Sequence, residues 1–147
     1  MALHYLERYS EAITSFDKAI EIKPDKHEAW NSRGVALEAL QRYEEAIASF
    51  DKAIEIKQND HQSWYLRGLA LCYLERYSEA IASYDKAIEI KPDMHEAWTG
   101  RGVALEKLQR YDEALDSYEK ALEFDPNFQD AINNRKRLLL KLGRPTE

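Results

Sequence analysis

One cysteine, four prolines and five glycines are all that this 147-residue chain has of the residues that cross-link or interrupt structure. A lone thiol, Cys72, excludes an internal disulfide and fits a reducing compartment, which points to a cytoplasmic protein. With so few breakers, regular helix can run almost uninterrupted. No apolar stretch approaches the roughly 18 residues that cross a bilayer, so no membrane segment is expected. The opening, residues 1–10, contains Glu7 and Arg8 and lacks the apolar centre of a secretion signal. Cationic surface is also scarce. The net charge is −6, and from Gln129 onward Arg135, Lys136, Arg137, Lys141 and Arg144 outnumber Asp130 and Glu147, so that end carries +3 and the remainder −9. An acidic body excludes nucleic acid, which needs cations to neutralise its phosphates. The basic end reads as a solvated helix face.

What the chain does have is repetition. The segments beginning at His27, His61 and His95 align without gaps at a period of 34 residues, flanked by an earlier partial copy and a later one from Gln129. In each copy, small and apolar residues recur at helical spacing along two stripes: Trp30, Gly34, Leu37 and then Ala46, Phe50, Ala53. The second copy has Trp64, Gly68, Leu71 and Ala80, Tyr84, Ala87; the third has Trp98, Gly102, Leu105 and Ala114, Tyr118, Ala121. Large residues alternating with Gly or Ala let paired helices approach closely. Pro24, Pro92 and Pro126 end the second helix of each unit, and Asp25, Asn59, Asp93 and Asn127 stand where a turn or N-cap is needed. Gln58 replaces the proline at one junction. A normal turn at Asn59-Asp60 is expected there, against the alternative of one continuous helix.

A longer repeat overlies the short one. Residues 5–30 and 73–98 are identical except at Thr14/Ala82, Phe16/Tyr84 and Lys26/Met94, so the copied unit is a pair of repeats. Such near-identity suggests recent amplification or deliberate construction.

Trp30-x-x-Arg33-Gly34 with Ala46, Phe50 and Ala53 resembles the signature of the tetratricopeptide repeat family, and the resemblance covers essentially the whole chain. It implies an all-α, right-handed superhelical solenoid of antiparallel helix pairs in 34-residue repeats. The segments expected are a partial repeat at 1–26, full repeats at 27–60, 61–94 and 95–128, a capping helix at 129–142 and a tail at 143–147. One departure recurs: Arg33, Arg67, Arg101 and Arg135 stand where the family usually has Leu. They are expected to form a structural ladder with Asp17, Asp51, Asp85 and Glu119.

Chemistry is poorly provided for. His27, His61 and His95 share one repeat position, so they should stand about 10 Å apart, whereas zinc ligands must all lie about 2 Å from one ion. Glu44-Glu45 and Asp112-Glu113 begin second helices, where negative charge suits the helix dipole. No phosphate-binding glycine loop is present, Ser49 and Ser83 have no fixed histidine partner, and Cys72 lacks an adjacent base. No enzymatic activity, metal or cofactor is expected.

The resemblance instead implies a scaffold that holds a peptide or helix in a concave groove lined by first-helix positions. Carried over, these are Asn31, Ser32, Val35 and Glu38; Gln62, Tyr65, Leu66, Leu69, Cys72 and Tyr73; and Glu96, Thr99, Gly100, Val103, Glu106 and Lys107. Family members that grip the carboxylate of chaperone tails use Lys, Asn and Arg at sites that here hold Asn31, Val35, Leu66, Glu96 and Gly100, so that specificity is not implied. The expected partner is a protein or peptide with apolar anchors and some basic residues. The ends add a second expectation. The partial copy leaves only residues 2–6 of a first helix, while 129–142 is a first helix without its second, so 1–22 and 129–142 suggest head-to-tail or exchanged self-association. The rival readings are a self-associating structural module and an engineered or excised repeat scaffold with no physiological ligand.

Overall fold

The computed structural model describes residues 2–146; Met1 and Glu147, which bound the first and last expected segments, lie outside it. The described residues contain no strand and form α1 (Ala2–Ile22), α2 (His27–Ala39), α3 (Tyr43–Ile56), α4 (His61–Tyr73), α5 (Tyr77–Ile90), α6 (His95–Lys107), α7 (Tyr111–Phe124) and α8 (Gln129–Lys141). Each helix packs on the next, and α2, α4, α6 and α8 also touch one another in turn. That second set of contacts builds an inner layer of first helices against an outer layer of second helices, the expected solenoid of antiparallel pairs.

The alternation of large and small residues explains the close packing. Phe50, Tyr84 and Tyr118 are fully buried, as are Leu37, Leu71 and Leu105. Each ring presses on a glycine of its paired helix: a Cβ on Gly68 would lie 2.7 Å from the Tyr84 ring, and one on Gly102 2.5 Å from Tyr118, with Gly34 equally tight on Phe50. No side chain fits those gaps unless the ring moves.

The hairpin turns and the junctions are built differently. Inside each pair, Gln41, Glu75 and Gln109 adopt φ of 60°, 57° and 60°, closing the first helix with a left-handed residue. Between pairs, Asp25, Asn59, Asp93 and Asn127 are turn residues, while Lys26, Asp60, Met94 and Phe128 hold the cap positions. Among these four only Asp60 caps with its side chain, accepting from the Ser63 N–H at 3.2 Å. Gln58 sits in a normal turn, as expected. The reason is visible in Trp64, whose indole donates to the Gln58 carbonyl at 2.9 Å, as Trp30 and Trp98 do to Pro24 and Pro92. A backbone carbonyl serves whichever residue carries it.

The arginine ladder is present. Arg67 Nε donates to Asp51 at 2.6 Å and its Nη1 to the buried Ser83 hydroxyl at 2.7 Å. Arg33 repeats this with Asp17 and Ser49, and Arg101 with Asp85 and Ser117. Arg135 reaches Glu119 at 3.2 Å. The small hydroxyl beneath each of the first three guanidinium groups was not foreseen.

The N-terminal copy overturns an expectation. Residues 2–6 were expected to be the remnant of a separate first helix; instead α1 is one helix from Ala2 to Ile22. Glu7 is helical where its counterpart Glu75 is left-handed. A left-handed non-glycine costs about 1–2 kcal/mol, which the 73–77 turn offsets by burying α4. Ahead of Glu7 the described chain has too short a returning segment to do the same. Helix propagation, one hydrogen bond per residue fixed, therefore wins.

Candidate functional site

Three hollows of the described residues lie along the inner layer. The central one, about 350 Å³, lies between α4, α6 and α8 and is lined by Tyr65, Leu69, Glu96, Thr99, Val103 and Phe128, with Asp130, Asn133 and Asn134 at its α8 side. Apolar side chains and two carboxylates share its lining. Burial first, and then the nearby Glu96, Glu38 and Asp130 carboxylates, push the Tyr65 phenol above its ordinary range. Of these carboxylates, Glu96 and Asp130 line the same hollow as the half-buried Tyr65. A second hollow, about 440 Å³, continues toward the C-terminal end between Val103, Glu106, Tyr111, Asn134, Arg137 and Lys141. A third, about 460 Å³, lies at the other end between Tyr9, Ala12, Phe16, Asn31, Ser32, Val35, Ala36 and Leu66.

The structure therefore divides the residues expected to line one groove. Tyr65, Leu69, Glu96, Thr99 and Val103 meet at the central hollow, where Gly100 also lies. Asn31, Ser32, Val35 and Leu66 belong to the α1 end, and Glu106 and Lys107 to the α8 end. Gln62 and Tyr73 are exposed, and Tyr73 stacks on Tyr43 with ring centres 4.8 Å apart.

Several of these polar groups are already engaged. Asn31 donates to Asp60 at 3.1 Å and to the Ser63 hydroxyl at 2.8 Å, a network possible only where the junction carries Asp60. Glu106 accepts from the Tyr118 hydroxyl at 3.0 Å and from Arg137 at 2.9 Å. It is thus neutralised from α8 rather than offered to a ligand. Burial raises the Glu38 carboxyl above the usual carboxylate range.

Sequence reasoning missed Phe128, Asp130, Asn133 and Asn134, because 129–142 was read as a cap or a self-association element and not as a groove wall. The same register rule that selected Glu96 and Gly100 selects Asp130 and Asn134 one period later.

Among the described residues no group of three or more His, Cys, Asp or Glu could hold a metal ion. Cys72 lies 3.7 Å from the Tyr84 hydroxyl, and burial raises its thiol away from the reactive thiolate. No helix of the described residues is long and apolar enough to cross a membrane.

Paired helices repeating every 34 residues, with an inner layer shaped into a groove, define a helical-repeat protein of the scaffold type. Tetratricopeptide repeat models match residues 2–41, 25–93 and 65–127, and the chain belongs to the tetratricopeptide repeat family. No curated protein matches it. Among solved structures, MamA is similar at a TM-score of 0.86 and 21% identity, over 92% of this chain and 79% of that one. YrrB, a TPR protein with an unusual peptide-binding site, is similar at 0.77 and 26%, over 99% of this chain and 75% of that one. The Arabidopsis OM64 TPR domain gives 0.74 and 27%, over 76% and 93%.

Proposed function

We propose that this protein is a non-catalytic scaffold whose inner groove holds a peptide or helix of a partner protein, gripped at the central hollow between α4, α6 and α8. An apolar side chain enters against Leu69 and Val103, and a Lys or Arg beside it faces Tyr65, Glu96 and Asp130. The observation that carries this reading is one hollow lined by the apolar Leu69 and Val103, the Tyr65 ring and the Glu96 and Asp130 carboxylates. A cation held there gains both charge pairing and the face of the ring. The similarity to YrrB, which has a peptide-binding site, supports the general mode. The acidic body makes nucleic acid a poor partner.

A displayed peptide library, with hits measured by fluorescence anisotropy, provides the test. Selected peptides should pair an apolar residue with Lys or Arg, weaken with rising salt, and lose at least tenfold in affinity to Tyr65→Ala with Leu69→Ala. Acidic hits, or affinity unchanged in that double variant, would refute the central hollow as the site.

A further inference from the structure

Glu38 and Glu106 hold the same repeat position two periods apart, yet only one of them is satisfied. Glu106 accepts from the Tyr118 hydroxyl at 3.0 Å and from Arg137 Nη2 on both carboxylate oxygens, at 3.1 and 2.9 Å. Cys72, at the position between them, lies 3.7 Å from the Tyr84 hydroxyl. Two periods before Tyr118 stands Phe50, and two periods before Arg137 stands Leu69. Both groups that would serve Glu38 are therefore apolar, and both belong to helices well inside the chain, α3 and α4. Among the described residues no hydrogen bond or ion pair reaches Glu38, and burial alone raises its carboxyl above the usual carboxylate range.

A half-buried carboxyl without a partner costs stability. Its neighbourhood suits one kind of partner. Leucine at position 69 cannot bridge from α4 to α2 as Arg137 bridges from α8 to α6, so the cation has to come from outside. The pairing already made at Glu106 calls for a guanidinium, which can reach both oxygens of one carboxylate, where an ammonium acts as a point charge. Tyr65 and Leu69, four residues apart on one face of α4, offer an apolar track for the arginine stem. The same two residues line the central hollow, so the two places adjoin.

We propose that Glu38 is the binding site for an arginine of the partner segment, whose stem crosses Leu69 and whose guanidinium takes at Glu38 the place that Arg137 takes at Glu106. This cation is additional to the one facing Glu96 and Asp130, and it depends on the inner groove being the partner's seat.

The test is a coupling measurement. Peptides selected on the groove have each arginine replaced in turn by lysine and by glutamine, and are measured by anisotropy against wild type and Glu38→Gln. One arginine should lose about tenfold or more on replacement by glutamine in wild type, but less than about twofold in Glu38→Gln. Lysine at that place should bind more weakly than arginine. Urea denaturation of the free chain at neutral pH supplies a second readout. Glu38→Gln should raise the midpoint in the wild-type background, and lower it in Leu69→Arg, where the internal pair is rebuilt. Groove peptides with no arginine coupled to Glu38 would overturn this site and leave the groove standing; a selection that yields no groove peptide would overturn both. A midpoint lowered by Glu38→Gln in the wild-type background would reveal an internal partner and overturn the site as well.

Discussion

Residues 5–13 and 73–81 have the same sequence, yet one is a straight helix and the other a helical hairpin with Glu75 at φ 57°. The difference is one of company. Around 73–81 the chain supplies α4, whose Ala70 and Leu71 are fully buried, and burying a leucine stabilises by about 1.5–3 kcal/mol. That exceeds the roughly 1–2 kcal/mol spent on one left-handed residue. Around 5–13 no such return is available in the described chain, and local helix propensity decides. The segment is bistable, and tertiary burial selects its state.

Substitutions at matched positions should reveal the asymmetry, all measured by urea denaturation at concentrations where the chain is a monomer. The largest effect is expected at the wedge rings. Tyr84→Ala should cost about 3–5 kcal/mol, the usual loss for a buried aromatic, whereas Phe16→Ala should cost less than half as much because its ring is partly open. Equal losses would mean the two faces are packed alike.

Next come the two glutamates, where one substitution should act with opposite signs. Glu75→Gly should stabilise by about 1 kcal/mol by relieving the left-handed residue. Glu7→Gly should destabilise by about 1 kcal/mol as a helix-interior glycine. Matching signs would show that both copies bend, or that neither does.

An effect of similar size, but dependent on pH, separates the junctions. Lys26 and Met94 make no side-chain cap, but Asp60 does. Burial alone would raise the Asp60 carboxyl, but hydrogen bonds from the Ser63 hydroxyl, Asn31 and the Ser63 N–H outweigh it and hold the group below its ordinary range. A depressed carboxyl contributes stability above its unfolded value, near 3.9, and loses it as pH falls through the lower folded value. Asp60→Ala should therefore cost about 1 kcal/mol at neutral pH, with wild type and variant converging on acidification. A gap that persists in acid would assign the loss to packing.

Much of the site was legible in advance, though in fragments. Helical spacing and the period place Tyr65, Leu69, Glu96 and Val103 on inner helices. The same alignment holds Asp130 and Asn134, which were passed over only because α8 was taken as an end rather than as a wall. What no alignment of repeats could show is which polar groups are already spent. Glu106 is satisfied by Arg137 and Asn31 by Asp60 and Ser63, and those pairings cross between helices some thirty residues apart. Nor could it divide the inner face into separate hollows, since their walls come from non-adjacent elements.

The chain's own order of residues was enough to set the helices, their pairing, the tight glycine-on-ring contacts and the arginine ladder. Each depends on spacings within one period, and the period recurs with few changes. Only the tertiary structure decided whether YLERY bends or runs straight, and which carboxylates remain free in the groove. Those outcomes depend on what is packed alongside, a few kcal/mol that the local sequence does not contain.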